Sequence, residues 1–286
     1  MNRYISYGGG VNSTAMAILL LTDPRFAETR KDEIRIVMAD TGNEYPETYA
    51  FVRDEFDPWL KRMGHRGIEW VRAEKTLEEY CLEKKIIPSR MKTWCSDKFK
   101  HRPIYEYLKA QGMLPTIQYL GIHYDEAGRV ASSGMDVVEN SFPLVDLKIN
   151  QQGCLDIIAA AGMILPMKSG CFFCPNSKKG QIIQLERNHP DLFARAEKME
   201  ANNSAFAWHP SAKSKIGKLV RFLLFSPKYP IGEWIVKGRI RKDNAPPAPM
   251  AAGCATACFK GNMGAAIERE LQVAALTASG EQKKEK

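Results

Sequence analysis

Three consecutive glycines, Gly8 to Gly10, stand between a strand-like segment, Arg3 to Ser6, and a helix-like segment, Ser13 to Leu21. Glycines let the backbone turn tightly and bring its N–H groups up to an anion, and the following helix adds unpaired N–H groups and its positive dipole end. The hydroxyls of Ser13 and Thr14 can donate to the same anion. These features predict a phosphate or pyrophosphate site, with a plain glycine turn as the alternative. A Walker A loop is excluded, because no Gly-Lys-Ser/Thr follows.

A carboxylate, Asp40, follows the β-branched run Ile34 to Met38 and begins the sequence Asp40-Thr41-Gly42. A carboxylate at the carboxyl end of a strand can accept hydrogen bonds from the hydroxyls of a ribose. We therefore predict that this segment faces a nucleotide. The alternative is a turn that caps the helix beginning at Pro46.

The chain contains seven cysteines, an odd number that favours metal, redox or core roles over a framework of disulfides. Cys171 and Cys174 form a CxxC pair, a spacing at which two thiolates can share one metal ion or iron–sulfur cluster. The same spacing also occurs in dithiol pairs and in half zinc sites. Cys154 is a candidate further ligand or a small buried core residue. Cys81 lies in a helical pattern and is predicted to belong to the core.

Cations cluster around Cys95 and after a fourth strand candidate. Ammonium and guanidinium groups in such places can bind a sulfate or a phosphate. Their position at a strand end favours a binding site over a solvated loop for the segment Gly121 to Arg129, which also carries Asp125 and Glu126. The candidate cations are Arg90, Lys98, Lys100, Arg102 and Arg129.

Strand-like and helix-like segments alternate over the first two-thirds of the chain. This alternation predicts a mostly parallel sheet with helices on both faces and ligands at the carboxyl ends of the strands. The predicted strands are Arg3 to Ser6, Ile34 to Met38, Ile68 to Val71 and Ile117 to Ile122. The predicted helices are Ser13 to Leu21, a helix beginning at Pro46, Pro103 to Ala110 and Gly153 to Ala161.

The net charge of +8 is concentrated in one segment, because nine basic residues and one acid lie between Asn203 and Lys242. A basic surface favours a polyanionic partner such as tRNA or DNA, and a solvated basic face is the alternative. Residues 201–242 are predicted to form a basic helical extension. Residues 243–286 hold eleven alanines, four glycines and three prolines, which is typical of a flexible tail.

The composition, with 44% hydrophobic and 26% charged residues among 286, is that of an ordinary globular protein and excludes disorder throughout. No apolar run approaches the ~20 residues that span a bilayer, and the start of the sequence lacks the apolar stretch of a signal peptide. We therefore expect a cytoplasmic protein without a membrane partner. The five histidines show no metal-ligand spacing, and the motifs of serine hydrolases and zincins do not occur.

Gly8 to Ser13 resembles the Ser-Gly-Gly-x-Asp-Ser pyrophosphate loop of the ATP-pyrophosphatase (adenine nucleotide alpha-hydrolase) superfamily, and most closely its phosphoadenosine phosphosulfate (PAPS) reductase-like branch. The segment Gly121 to Arg129 is similar to the Gly-Ile-x-x-Asp-Glu-x-x-Arg sequence of that family. Three further stretches agree with the branch in the same order along residues 1–200. They are Ala39-Asp40-Thr41-Gly42-Asn43-Glu44-Tyr45-Pro46-Glu47-Thr48, Trp94-Cys95-Ser96-Asp97-Lys98-Phe99-Lys100 and Lys168-Ser169-Gly170-Cys171-Phe172-Phe173-Cys174-Pro175.

The resemblance implies a three-layer, Rossmann-like α/β domain over residues 1–200, with a parallel sheet and a C-terminal helical extension, that binds ATP, PAPS or adenylyl sulfate (APS). It implies that the glycine loop holds phosphates, that the Asp40 segment holds adenosine, and that Arg90, Lys98, Lys100 and Arg129 neutralise an anionic substrate. Mg²⁺ is a further candidate cofactor. The residues expected to bind the nucleotide are Ser6, Gly8, Gly9, Gly10, Asn12, Ser13, Thr14, Asp40, Thr41 and Gly42.

The resemblance also implies a [4Fe–4S] cluster, because the family's adenylyl-sulfate reductases hold one with a Cys-Cys pair at the position of Cys95 and a later CxxC. Here Ser96 follows Cys95, so one thiolate of the pair is missing. The predicted metal ligands are therefore Cys95, Cys171 and Cys174, with Cys154 as the candidate fourth ligand or with the fourth iron open to substrate sulfur. Zinc is the alternative metal.

Two departures from the family pattern bear on the reaction. Asn12 stands where the pyrophosphatase members carry Asp, which removes a carboxylate that could hold magnesium. The tail around Cys254 and Cys258 lacks the Glu-Cys-Gly-Leu-His sequence that carries the nucleophile of true sulfonucleotide reductases.

The predicted function is an adenine-nucleotide-dependent enzyme of sulfur metabolism that reduces a sulfonucleotide, with Cys254 or Cys258 as nucleophile, or transfers sulfur. Its partners would be the nucleotide substrate and an electron or sulfur donor protein. One alternative is an ATP-dependent enzyme that thiolates nucleic acid, which the basic segment Asn203 to Lys242 would serve. The other is a regulator that binds nucleotide and nucleic acid without catalysis, for which Asn12 is the supporting feature.

Overall fold

The centre of the molecule is a five-stranded sheet in which all strands are parallel, in the order β3-β2-β1-β4-β5. The structure is a computed structural model that describes residues 1–27, 34–89, 93–203, 206–209 and 218–221. The strands are β1 (Asn2–Tyr7), β2 (Arg35–Ala39), β3 (Ile68–Val71), β4 (Thr116–Leu120) and β5 (Val138–Ser141).

Helices cover both faces of this sheet, so the domain has three layers. The helices are α1 (Val11–Thr22), α2 (Pro46–Ala50), α3 (Asp57–Arg62), α4 (Leu77–Lys84), α5 (Trp94–Ser96), α6 (Arg102–Ala110), α7 (Pro143–Asp146), α8 (Gln151–Ala160), α9 (Lys179–Asn188) and α10 (Pro190–Asn202). The π-helical turn Phe51–Phe56 joins α2 to α3, and the π-helical turn Asp97–His101 joins α5 to α6.

Two apolar clusters hold the three layers together. On one face, α1 lies between the sheet and α8, and every residue from Val11 to Leu20 is buried. The residues of α1 are nearly all apolar or small, as a helix with no solvent-facing side must be. On the opposite face, α6 packs Ile104 and Leu108 against Tyr4, Val37 and neighbouring strand residues. The confirmed fold class is therefore a three-layer α/β sheet.

A third apolar cluster lies beside the sheet and joins α4, the α5 region, the CxxC segment, α9 and α10. Helix α4 begins with a capping box, because Thr76 accepts from the backbone N–H of Glu79 while the Glu79 carboxylate accepts from that of Thr76. The segment Asn43–Glu44 contacts the CxxC segment directly through a bridge between Glu44 and Cys171 and a hydrogen bond from Phe172 N to Asn43 O of 3.0 Å.

The four predicted strands and the predicted helices are present, with ends shifted by a few residues. Strand β5 was not predicted, because its sequence, Val138-Glu139-Asn140-Ser141, contains only one apolar residue. The strand lies at the edge of the sheet. The helical expectation for residues 201–242 is wrong in two described stretches, since Phe206–His209 and Lys218–Arg221 pair as antiparallel strands β6 and β7. These two strands meet over four residues each, so a two-stranded ribbon replaces the helix there.

Residues 243–286, predicted to be a flexible tail, lie outside the described residues, as do Arg90, Cys254 and Cys258. In the described ranges, the helices are too short or too polar to cross a membrane.

Candidate functional site

The strand order defines a crevice at the carboxyl ends of β1 and β4. The chain proceeds from β1 outward to β2 and β3 and then returns to place β4 on the other side of β1. Neighbouring parallel strands whose connections leave in opposite directions open a crevice between their following loops, and ligands of such sheets bind there. Gly8 to Gly10 follow β1, and Gly121 to Arg129 follow β4. The two segments predicted to bind a nucleotide therefore border the same crevice.

Close backbone packing fixes the glycine loop. Gly9 has φ of +70°, a conformation that costs a side-chain-bearing residue energy, and a Cβ there would lie 2.8 Å from Thr48 Cγ2. A Cβ on Gly121 would lie 2.7 Å from the backbone N of Ser13. The loop after β4 thus lies directly against the first turn of α1, and neither position admits a larger residue without a shift.

The first turn of α1 presents backbone N–H groups to the crevice without a competing carboxylate. Its N-cap residue is Gly10, no side chain caps it, and no acidic residue lies in the first turn. Ser13 Oγ donates to Gly10 O (3.1 Å) and accepts from Gly8 N (3.3 Å), while Thr14 Oγ1 contacts Tyr7 Oη at 3.0 Å. The two hydroxyls expected to bind phosphate therefore also hold the loop together.

Ser6 is placed differently from the other loop residues. It lies on the opposite face of β1, where it lines a small cavity with His101, Tyr105 and Gln118. The structure does not bring Ser6 to the crevice.

Four buried polar atoms around the crevice have no hydrogen-bond partner among the residues that the structure describes. They are Asn12 Oδ1, His123 Nδ1, Glu126 Oε2 and Arg129 Nη2. Arg129 Nη1 pairs with Glu126 Oε1 at 2.8 Å, and His123 Nε2 lies 3.7 Å from Glu126 Oε2. A buried donor or acceptor without a partner costs about 1–3 kcal/mol, and a ligand or bound water at this place would supply the missing partners. The crevice offers one guanidinium donor and carboxylate and amide acceptors.

Asp40, at the end of β2, is almost wholly buried and accepts four hydrogen bonds. Oδ1 accepts from Gly42 N (2.7 Å) and Tyr49 Oη (2.6 Å), and Oδ2 accepts from Arg72 Nε (3.0 Å) and Nη2. Burial raises the pKa of Asp40, but the hydrogen bonds from Tyr49, Arg72 and Gly42 outweigh it and hold the pKa below its ordinary value. Since these bonds use the acceptor positions of the carboxylate, Asp40 positions Tyr49 and Arg72 in this structure.

Replacing Asp40 by asparagine is expected to lower the free energy of unfolding by about 1–3 kcal/mol at neutral pH, because the buried hydrogen bonds weaken and Arg72 loses its counter-charge. The depressed pKa means that the carboxylate stabilises the fold fully well above the ordinary value of 3.8 and loses that effect as the pH falls through 3.8 toward the folded-state pKa. The difference between Asp40→Asn and the wild type in chemical denaturation should therefore shrink below about pH 4. A difference that stays constant down to pH 3 would contradict this assignment.

Thr41 and Glu44 connect the end of β2 to the cysteines. Thr41 Oγ1 lies 3.1 Å from Cys171 Sγ, and Cys171 Sγ lies 4.0 Å from Glu44 Oε1. The Glu44 side chain is 2% exposed and pairs with Lys100 at 3.6 Å, while its Oε2 has no hydrogen-bond partner in the described part of the chain. Burial, followed by the Glu44 charge, raises the pKa of the Cys171 thiol, although Lys100 and Thr41 act in the opposite direction.

Three of the four predicted metal ligands lie in one apolar cluster. Cys95, Cys171 and Cys174 belong to the third cluster, and so does Cys81, which was predicted as a core residue. Cys154 is fully buried in the first cluster, between α1 and α8, which matches the core alternative and does not bring it to the other three. Within the described ranges, no group of three or more His, Cys, Asp or Glu side chains is spaced to hold a metal ion.

The predicted cations separate into different places. Arg129 follows β4 and pairs with Glu126, and Lys100 lies beside Glu44 near the cysteines. Lys98 points elsewhere, with its ammonium 4.6 Å from the centre of the Tyr80 ring, in an open cleft near the outer strand of the sheet. Arg90 lies outside the described residues.

Sequence reasoning missed three residues of the site. Arg72 and Tyr49 hold Asp40, and Ser169 covers the glycine loop, since a Cβ on Gly10 would lie 2.7 Å from Ser169 Oγ. Ser169 lies two residues before Cys171, Tyr49 lies in α2, and Arg72 directly follows β3. Of the three, only Arg72, a polar residue at a strand end, has a position that the sequence marks.

No family model matches the chain. Two proteins of Methanocaldococcus jannaschii resemble it in sequence, the uncharacterized proteins MJ0973 (26% identity over 200 residues) and MJ0066 (22% over 229 residues). The matches cover 66% and 71% of this chain and 45% and 43% of those proteins. The chain therefore spans less than half the length of the curated relatives it matches.

Two solved structures are similar in architecture. One is the phosphoadenylyl-sulfate (PAPS) reductase of Candida auris in complex with phosphate, at 15% identity and a TM-score of 0.41, covering 58% of this chain and 75% of that one. The other is the U34-tRNA thiolase NcsA of Methanococcus maripaludis with its [4Fe-4S] cluster, at 15% identity and a TM-score of 0.44, covering 92% of this chain and 82% of that one.

Proposed function

We propose that the chain is an adenine-nucleotide-dependent enzyme of sulfur metabolism, similar to PAPS reductase-like proteins, whose nucleotide binds in the crevice between β1 and β4. The observation that carries this proposal is the set of buried, unpartnered polar atoms of Asn12, Glu126 and Arg129 beside an uncapped helix N-terminus. Phosphate oxygens are the acceptors that a guanidinium and a ring of backbone N–H groups require.

In this proposal the nucleotide contacts two loops, the glycine loop after β1 and the segment after β4. The N–H groups of Gly8 to Ser13 hold the phosphates together with Arg129, which Glu126 keeps in place through their 2.8 Å ion pair. Asn12 Oδ1 and Glu126 Oε2 accept from ligand hydroxyls or from water bound to Mg²⁺, which Asn12 can hold only through its neutral oxygen. Asp40 holds the end of β2 in shape through the hydrogen bonds that it accepts from Gly42 and Tyr49.

The cysteines have the donor chemistry that an iron–sulfur cluster requires. Cys95, Cys171 and Cys174 offer thiol donors within one apolar cluster, which suits a centre that is shielded from water. The described side chains do not yet form a closed ligand set, so binding requires the thiols to turn toward a common point and to lose their protons. When bound, the cluster would supply electrons or a sulfur-binding iron. Lys100 offsets the charge of Glu44 next to Cys171, with or without a bound cluster.

Three outcomes of a turnover assay separate the candidate reactions. Release of sulfite from PAPS or APS supports sulfonucleotide reduction. Conversion of ATP to AMP and pyrophosphate, dependent on a nucleic acid, supports thiolation after nucleotide activation. Tight nucleotide binding with neither reaction, in protein that retains its metal, supports a regulator. Absence of binding to all three nucleotides would overturn the proposal.

Thiolation of nucleic acid is the second candidate because of the charge between Asn203 and Lys242, where nine cations face one acid. This segment is expected to bind RNA or DNA with an affinity that falls as salt rises. Replacing Lys213, Lys215 and Lys218 by glutamate should weaken binding and flatten its dependence on salt, as measured by fluorescence anisotropy. If the unmodified protein binds no nucleic acid at low ionic strength, the thiolation candidate fails and a small sulfonucleotide is the better candidate for the substrate.

A further inference from the structure

We infer that a groove along the outer edge of the sheet binds a single-stranded segment of nucleic acid. This edge groove consists of two open clefts that share Arg72, with volumes of about 500 Å³ and about 470 Å³. The inference deepens the proposed function by naming single-stranded nucleic acid as the substrate class. Binding in the groove stands by itself, and only the sulfur chemistry after binding rests on the proposed function. The crevice between β1 and β4 is a separate place.

The first cleft contains an exposed aromatic platform. Trp70 lies on the outer strand β3 and is 43% exposed, although it is among the most apolar side chains of the protein. Its ring stacks on Tyr49, with 6.1 Å between the ring centres and 26° between their planes. A tryptophan supported from behind by a second ring is suited to stacking on a nucleobase, an interaction that every base can make.

Arg72 joins the two clefts and is already oriented. Asp40 accepts hydrogen bonds from its Nε (3.0 Å) and Nη2, while the side chain remains 56% exposed. A planar guanidinium held on one edge presents its remaining N–H groups in a fixed direction, which suits a phosphate of a backbone. Arg53 borders the same cleft, with its side chain 71% exposed and paired with Asp54.

The second cleft has more cations than acids. Arg72, Lys75, Lys84, Lys98 and Arg102 line it together with Glu74, Glu83 and Glu106. Glu83 pairs with Lys75 and Lys84, whereas Lys98 extends over Tyr80 and Arg102 is exposed. Lys98 and Arg102, beside the Tyr80 ring, therefore offer cations to the phosphates of a single-stranded backbone.

The second cleft leads toward the cysteines. Tyr80 and Phe99 line it and pack on Trp94, with ring centres 5.8 Å and 6.4 Å from that of Trp94. Trp94 directly precedes Cys95 and belongs to the same apolar cluster as the CxxC pair. A strand stacked on Trp70 and held at Arg72 and Lys98 would therefore run beside the rings that pack on Trp94, the residue that precedes Cys95.

The test uses the full chain, a fluorescein-labelled single-stranded RNA of about twelve nucleotides, and the same sequence as a duplex. Fluorescence anisotropy should show tighter binding of the single strand. Trp70→Ala should weaken it about tenfold, and Trp70→Phe should restore most of the loss because a ring remains. Lys98→Glu with Arg102→Glu should reduce the slope of log affinity against log salt by about 1.4. The matched control, Lys109→Glu with Arg187→Glu on other exposed helix surfaces, should leave the slope closer to that of the wild type.

The inference is overturned if folded Trp70→Ala binds RNA as the wild type does, if the duplex binds as tightly as the single strand, or if only the changes at Lys213, Lys215 and Lys218 reduce binding. It is also overturned if Trp70→Ala loses its affinity for ATP to the same degree, because the cleft would then belong to the nucleotide. If the wild type binds RNA through Trp70 but neither ATP nor PAPS, the inference stands and the proposed function fails.

Discussion

Replacing Gly9 by valine is expected to abolish the binding of ATP and PAPS in calorimetric titrations, which corresponds to a loss of at least about 100-fold. Gly9 has φ of +70°, and its Cβ would lie 2.8 Å from Thr48 Cγ2, so a branched side chain must push the loop out of shape. The N–H groups between Gly8 and Ser13 would then no longer converge on one anion. Retained affinity in a folded Gly9→Val protein would show that the phosphates bind elsewhere.

Gly64→Val is the matched control for this change. Gly64 has φ of +80°, and a Cβ there meets nothing within 4 Å, so the variant carries the same backbone strain without the clash. It should bind nucleotide normally. If Gly9→Val does not fold, Gly121→Ala provides the test, because its Cβ would lie 2.7 Å from the backbone N of Ser13 and would displace the first turn of α1. Nucleotide affinity unchanged in Gly121→Ala as well would refute the loop assignment.

Replacing Cys171 by alanine is expected to remove nearly all iron and acid-labile sulfide from protein prepared without oxygen, together with the visible absorbance of a cluster. The thiol is buried beside Thr41 and Glu44, and burial raises its pKa, so at neutral pH it is a protonated thiol unless a metal takes the place of the proton. In this variant Cys174 would lack its partner in the CxxC pair.

Cys154→Ala separates ligand loss from general damage. Cys154 is fully buried between α1 and α8, away from the apolar cluster that contains Cys95 and the CxxC pair. The variant should therefore keep its iron, with thermal stability reduced slightly by the smaller side chain. Equal iron in Cys171→Ala and wild type, or iron lost only from Cys154→Ala, would contradict the ligand set. If metal analysis finds zinc and no iron in the wild type, the cysteines form a zinc site and not an iron–sulfur cluster.

The sequence was sufficient for the strand and helix pattern that builds the sheet, because the central strands carry apolar residues in alternation or in a run, and some helices begin at a proline or a capping side chain. It also placed the glycine loop and Gly121 to Arg129 at strand ends, and the strand order then brings them to one crevice. The alternation of side chains along β1 also predicts which face of the sheet Ser6 occupies. Ile5 and Tyr7 face α1, so Ser6 must face the other side of the sheet.

Long-range partners could not be predicted. Asp40 is held by Arg72, which is 32 residues away, and the buried Glu44 contacts Cys171, which is 127 residues away. Both Cys81 and Cys154 lie on buried helix faces, and helical spacing alone gives no means of deciding which of two apolar clusters each one joins. Tertiary packing decides this, and it places Cys81, rather than Cys154, in the cluster that contains Cys95.

Hydrogen exchange followed by mass spectrometry, with and without ATP or PAPS, tests the nucleotide crevice most directly. Peptides that contain residues 8–14 and 121–130 should both become protected when nucleotide binds, because the backbone N–H groups of the first and the Arg129 segment of the second close on the same phosphates. Peptides of the edge strand β5 should be unaffected. Nucleotide binding that protects neither of the two segments would contradict the account.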